Sequence, residues 1–377
     1  MLALIVSPAA LYERGNFSQK ALDTLGGIRA QGTPVYVVTN QGVPDGLVKI
    51  LNGLHIVYVH AKARQTGNPV REIAQSLKIN PHDVMVLAVN EVDMQMAKTG
   101  GAILIEGAWS TDKRVAGLGI KVDTIDQLRE VIDVTRGWTS QWWYKGEGSA
   151  YDVRALVDLS SNRYVSDDQA AFARKVTNTA KSGGARLTAL LAIACRSLKM
   201  DNVLDGKLFW GVFPSSASSN DDTEVLSDFV QRLRTAASSV HFAKRGEPLF
   251  IRHTHSVKRS TSNVGDRTDP SNQIETLHLN PAYKSQLKGR NVIVVDDCTT
   301  YGVSFAVAAA FLYAAGVKKV VGIALGKFGN RLEHATISIA TSPFEVVSRG
   351  GYQIVSREGF RETNDPNAQA VLQAIIS

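Results

Sequence analysis

The sequence predicts an α/β protein with two parallel-sheet domains joined by a helical segment. Three observations carry this reading. Short β-branched runs alternate with helical stretches over the first 120 residues, the same rhythm returns after Asp201, and 377 residues exceed what one core usually organises. In the first part the runs are Leu2 to Val6, Pro34 to Thr39 and Val84 to Val89, with helices near Gln19 to Gln31 and Pro69 to Leu77. Each connection is long enough for a crossover helix, so the strands are expected to run parallel. From Thr124 to Met200 the pattern turns helical, with Ile125 to Thr135, Asp167 to Ala180 and Ala185 to Leu198 as segments. Beyond Asp201, strands are expected at Lys207 to Phe213, Pro248 to Arg252, Asn291 to Val295 and Lys319 to Leu325, and helices at Asp222 to Ala236 and Ser304 to Ala315. Val225, Leu226, Phe229, Val230 and Leu233 form one apolar face of the first of these helices, with Asp221 or Asp222 available as its N-cap. The expected domains are 1–123 and 201–377, with 124–200 as the connecting segment.

Hydrophobic residues at 44% and charged residues at 20% are ordinary globular usage. No apolar run reaches the roughly 20 residues that span a bilayer, so no membrane partner is expected. Met1 to Val6 lacks a basic leader and reads as a buried strand, which makes the cytoplasm the default location. Two cysteines, Cys195 and Cys298, are too few for a disulfide framework or a Cys-rich metal site. A net charge of +7 suits phosphate-rich ligands or nucleic acid without singling out the latter.

The most informative stretch is Asn291-Val-Ile-Val-Val-Asp296-Asp297-Cys298-Thr299-Thr300-Tyr301-Gly302-Val303-Ser304. An apolar strand ends in two adjacent carboxylates, passes a small polar turn and opens a helix. At the carboxyl end of a parallel strand, free N–H groups and the helix N-terminus attract phosphate, while the acids accept hydrogen bonds from vicinal hydroxyls. A plainer alternative is a Rossmann-like strand whose acids cap the next helix.

This stretch resembles the phosphoribosyl-pyrophosphate (PRPP) signature of type I phosphoribosyltransferases, matched at Asp296, Asp297, Thr300, Gly302 and Ser304. The resemblance implies ribose contacts for Asp296 and Asp297 and a 5-phosphate cradle from Thr300 to Ser304, flanked by Thr299. Tyr301 departs from the usual second Thr. Pro214 to Ser219, with Ser215 and Ser216, stands where the family places its pyrophosphate loop; a Ser-rich surface turn is the alternative. His253 to Arg259 resembles the family's flexible loop, in which Lys258 and Arg259 stabilise charge on the leaving group; a solvated basic loop is the alternative. The resemblance therefore implies a PRPP-binding phosphoribosyltransferase, a glycosyltransferase of nucleotide metabolism. Mg²⁺ is implied on Asp296 and Asp297, with pyrophosphate leaving and an unidentified acceptor attacking. From another class comes a PRPP- or nucleotide-sensing subunit of a larger assembly, resembling phosphoribosyltransferase-like proteins of bacterial stress-response and antiphage systems. A homo-oligomer or a subunit of a complex is expected in either case.

In the N-terminal part, Val35 to Gly42 and Val84 to Gly101 resemble the second and fourth motifs of haloacid dehalogenase-like (HAD) phosphatases, with Thr39 and Asp93 in register. Ser7 and Ala9 stand where that family has its nucleophile and acid/base Asp residues, Asn68 where it has a Lys, and Val89 where it has an acid. A phosphoaspartyl mechanism needs those carboxylates, so residues 1–123 are expected to be a scaffold or binding domain without phosphatase activity. Glu91 and Asp93 are a candidate cation pair; two solvated acids are the alternative. Trp138, Trp142, Trp143 and Tyr144 have a spacing that suits one helical face and are expected to pack against protein.

Overall fold

The computed structural model describes residues 1–13, 16–42, 46–161, 165–201, 203–237, 244–257 and 266–376. Two compact units emerge, the first comprising Met1–Thr139, Thr188–Asp201 and Gln231–Ser239, the second Ser140–Leu187, Asn202–Val230 and Val240–Ser377.

The first unit opens with β1 (Ala3–Val6), a two-stranded ribbon of β2 (Tyr12–Glu13) and β3 (Asn16–Phe17), α1 (Gln19–Ala30), β4 (Val35–Thr39) and α2 (Leu47–Gly53). It continues through β5 (Val57–His60), α3 (Asn68–Leu77), β6 (Val84–Ala88), α4 (Glu91–Gly100), β7 (Ile103–Gly107), β8 (Ile120–Val122) and α5 (Ile125–Gly137). The sheet runs β5-β4-β1-β6-β7-β8, every pair parallel. β1 and β6 read as unbroken apolar runs, Ala-Leu-Ile-Val and Val-Met-Val-Leu-Ala, and every residue of both is buried, as strands covered on both faces require. The order is doubly wound and reverses between β1 and β6, which puts the crevice for a ligand outside their carboxyl ends.

The second unit contains β9 (Tyr144–Glu147), β10 (Tyr151–Asp158), α6 (Asp167–Ser182), α7 (Ala185–Met200), β11 (Leu208–Val212), α8 (Val225–Ala237), β12 (Phe250–Arg252), α9 (Ser271–Ile274) and β13 (Leu277–Leu279). It ends with β14 (Asn291–Thr299), α10 (Val303–Ala314), β15 (Lys319–Lys327), β16 (Glu333–Ile339), β17 (Tyr352–Gly359), β18 (Arg361–Asn364) and α11 (Pro366–Ile376). α7 and α8 are divided between the two units. The sheet order is β11-β14-β15-β10-β9-β18; the first four strands are parallel, and β9 and β18 are antiparallel additions at one edge. β12 with β13, and β16 with β17, form separate antiparallel pairs. α10 is buried from Phe305 to Leu312, and Phe305 packs so close to Gly322 of β15 that a Cβ there would lie 2.5 Å from its ring.

Three expectations about elements are corrected. The segment 124–200 is not helical throughout, because β9 and β10 lie inside it. Asp152 and Arg154 break the apolar pattern of β10, yet Arg154 is buried and donates to the carbonyls of Gly146 and Val153. The aromatic cluster forms no helical face: α5 stops at Gly137, Trp138 is extended, and Tyr144 opens β9. Each of the four rings is nevertheless buried, and Trp138 Nε1 donates to Ser197 Oγ at 2.9 Å. Finally, α8 starts at Val225, because the Asp221 carboxylate accepts from Thr223 and Ser219, and that of Asp222 from the Gly246 N–H. Among the described residues, no helix is long and apolar enough to cross a membrane.

Candidate functional site

In the second unit, β14 runs four residues past Val295, because β15 is equally long and carries the ladder to Thr299 and Lys327. Asp296 and Asp297 therefore lie within the strand rather than beyond it. Asp296 is buried and Asp297 half-buried. Burial and the charge of Asp297 push the Asp296 carboxyl well above the usual range. The Asp297 N–H donates to Asp296 Oδ1 at 2.9 Å. Asp297 also accepts from the Cys298 N–H at 2.7 Å. Burial and the neighbouring acids push the Cys298 thiol upward.

The turn that follows is shaped by Gly302, whose φ of 79° is left-handed and whose missing Cβ would meet the Glu333 carbonyl oxygen at 2.7 Å. Gly302 also caps α10 without any side-chain hydrogen bond, and the first bond of the helix is Ala306 N–H to Gly302 O. The N–H groups of Val303, Ser304 and Phe305 thus form an uncapped helix start, beside Thr300 and Tyr301. The Tyr301 hydroxyl accepts from Arg331 at 3.0 Å, and the Arg267 guanidinium lies over its ring at 5.4 Å.

The register Val212↔Val295 starts the loop after β11 beside Asp296. Arg252, buried at the end of β12, holds that loop by donating to the carbonyls of Pro214 and Ser215, with Gln273 and Thr276 as further acceptors. With these two carbonyls held by Arg252, Ser215 stays exposed, its hydroxyl bonded to Glu224, and Ser216 half-buried. Lys258 and Arg259 lie outside the described residues. His253 stacks on His278. Lys327, also missed in the sequence, is buried between the rings of Trp143 and Tyr144, and burial lowers its pKa.

Among the described residues there is no group of three or more metal-ligating side chains. Asp296 and Asp297, adjacent at the end of β14, still fit Mg²⁺, which commonly binds through one or two carboxylates plus substrate phosphates.

In the first unit, the crevice at the ends of β1 and β6 is filled by the protein's own groups. Ser7 Oγ donates to Asp93 Oδ2 at 2.8 Å, Val89 N–H to the same oxygen at 3.3 Å, and Arg64 pairs with Oδ1 while also donating to the Val38 carbonyl. Asn68 lies elsewhere, its Oδ1 accepting from Arg71 at 2.6 Å. Nothing in the local sequence marks Arg64, since its partner lies 29 residues away. Burial pushes Asp93 upward against the pull of Arg64, Ser7 and Val89. Glu91 is paired with Arg114, so the candidate cation pair is occupied by two arginines.

No family model matches the chain, and no curated protein does. Solved structures do. The chain is similar to deoxy-D-mannose-octulosonate 8-phosphate phosphatase from Haemophilus influenzae in its cobalt-bound form, at 11% identity and a TM-score of 0.30, over 36% of this chain and 90% of that one. It is similar to the corresponding phosphatase from Moraxella catarrhalis, solved with magnesium, phosphate and KDO, at 12% identity and 0.26, over 34% and 84%. A third is a putative HAD family hydrolase from Streptomyces avermitilis, at 13% and 0.23, over 27% and 66%. The similar structures are named phosphatases and a hydrolase, against the expectation that residues 1–123 lack phosphatase activity.

Proposed function

We propose that the second unit binds a ribose 5-phosphate ligand, PRPP foremost, and transfers its phosphoribosyl group to an acceptor with release of pyrophosphate. The observation that carries this is the adjacent acid pair of β14 followed within five residues by the uncapped start of α10. One end suits hydroxyls, the other phosphate. The loop after β11 lies beside them, and its backbone suits a diphosphate. Mg²⁺ on Asp296 and Asp297 would offset phosphate charge. Transfer of this kind rests on positioning and charge stabilisation, so it needs no dedicated nucleophile.

Tyr301 favours a second reading, in which the same pocket senses PRPP or a nucleotide for a larger assembly without transfer. Calorimetric titration of the full chain with PRPP and Mg²⁺, with pyrophosphate measured in parallel, separates the two. Binding with pyrophosphate release when acceptors are supplied supports transfer, binding alone supports sensing, and the absence of heat refutes both.

A further inference from the structure

The loop between β11 and α8 is held by its carbonyls. Arg252, buried at the end of β12, donates from Nη2 to the Pro214 carbonyl at 3.1 Å and from Nε to that of Ser215, while Gln273 and Thr276 each accept from the guanidinium at 2.8 Å. The Ser256 N–H takes the next carbonyl, that of Ser216, at 2.9 Å. In a trans peptide the C=O of one residue and the N–H of the next point in opposite directions, and no peptide bond here is cis. Three successive carbonyls turned toward Arg252 and Ser256 therefore turn the N–H groups of Ser215, Ser216 and Ala217 away from them. None of these three N–H groups donates to an acceptor among the described residues, and Ser215 and Ala217 are exposed. The Ser215 hydroxyl is bonded to Glu224, so what the loop offers a ligand is backbone. At the far end Asn220, left-handed at a φ of 60°, brackets the main chain of Arg252: its Oδ1 accepts from the Arg252 N–H at 2.8 Å and its Nδ2 donates to the Arg252 carbonyl at 3.0 Å. Arg252 thus clasps the loop by its side chain at one end and by its backbone at the other.

We infer that Arg252 is a positioning residue for the diphosphate of PRPP, which it does not touch: it presents the N–H groups of Ser215, Ser216 and Ala217 together, and Asn220 fixes it in place. The inference rests on the reading that the second unit binds PRPP at the turn after β14. Successive N–H groups of a turn form a concavity for anions, and the turn is closed here by Ser218 N–H to Ser215 O at 3.3 Å. The loop begins beside Asp296, the carboxylate assigned to the ribose hydroxyls, which suits a diphosphate attached to the same ribose. The planar fork of Arg meets two consecutive carbonyls at a fixed angle, which the point charge of Lys does not. Because the donors are oriented before the ligand arrives, binding does not have to order the loop.

The test is calorimetric titration of the full chain with PRPP, pyrophosphate and ribose 5-phosphate at matched free Mg²⁺, for the wild type, Arg252→Met and Asn220→Gly, with a melting curve for each. Glycine accepts the left-handed backbone of position 220 and removes only the two side-chain bonds. In both variants PRPP and pyrophosphate are expected to bind about tenfold more weakly, the order of one charge-assisted hydrogen bond, while ribose 5-phosphate binds as before. Asn220→Asp, which keeps the acceptor for the Arg252 N–H, falls between. If Arg252→Met does not melt cooperatively, Asn220→Gly decides. Equal losses for PRPP and ribose 5-phosphate, or unchanged PRPP affinity, overturn the role of Arg252 and leave the reading of the turn standing. Failure of the wild type to bind either PRPP or ribose 5-phosphate overturns that reading and the role of Arg252 together.

Discussion

Arg64→Met tests whether the first unit depends on the ion pair in its crevice. The side chains of Arg64 and Asp93 are 7% and 0% exposed. Removing the guanidinium leaves Asp93 with the Ser7 hydroxyl and the Val89 N–H but no counter-charge. Breaking a buried pair in this way costs about 3–5 kcal/mol. At roughly 2–4 °C per kcal/mol for a unit of this size, the transition of the first unit should fall by about 6–20 °C. The sign with pH follows from Asp93, whose carboxyl burial already raises and which loses its opposing cation in the variant. A carboxyl raised above its unfolded value binds its proton more readily when folded, so its unfavourable contribution grows as pH rises past about 4 and fades below. The deficit should be largest at neutral pH and shrink toward pH 4, and Arg64→Met with Asp93→Asn should recover most of it. Thermal unfolding of the full chain at pH 7 and pH 4.5, resolved by unit, gives the measurement. A deficit below about 1 kcal/mol, or one equal at both pH values, would show that the pair does not hold the crevice.

Asp297→Asn, with Asp296 intact, should weaken PRPP binding by about 1.5–3 kcal/mol, the range for a hydrogen bond to a charged group, read by titration. His334 is buried, accepts from the Ala150 N–H through Nε2 at 3.2 Å, and is lowered by burial against the pull of Glu358. A lowered base binds fewer protons folded than unfolded, so the unit should lose stability as pH falls below about 6.5, and urea midpoints of His334→Phe should lack that part of the slope. Gly302→Ala should cost about 1–2 kcal/mol from its left-handed φ alone and weaken ligand binding, because a methyl 2.7 Å from the Glu333 carbonyl oxygen must shift the turn; unchanged Tm and affinity would contradict this.

Much of the framework was legible because burial on both faces leaves a simple signature. Ala3–Val6, Val84–Ala88 and residues 292–295 are unbroken apolar runs, and strands form there. Helix starts with a hydroxyl or amide cap, such as Ser18 before α1, fell where expected. What escaped was structure set by partners far along the chain. Glu106 sits inside β7, tolerated because Arg232 neutralises it, and Arg154 sits inside β10, bonded to carbonyls. β17 is exposed along nearly its whole length and shows no apolar alternation. At the candidate sites, residue types were legible but their states were not. The pairing of Ser7 with Asp93 spans 86 positions, and the burial of Asp296 depends on how far β15 extends beside it.

The order of the second sheet also governs when it can form during synthesis. β10 is the first of its parallel strands, yet its neighbours are β9 and β15, and Ser160 and Gly329 hydrogen-bond across 169 residues. β18, which completes the edge, comes later still. The first sheet, by contrast, is complete once β8 has emerged from the ribosome. Long-range pairing of this kind is slow, because chain entropy is lost before contacts reward it. β10 therefore waits, apolar and with one edge unpaired, while more than half of the second unit is translated. In that interval the nascent chain is most exposed to misassociation and most in need of a chaperone.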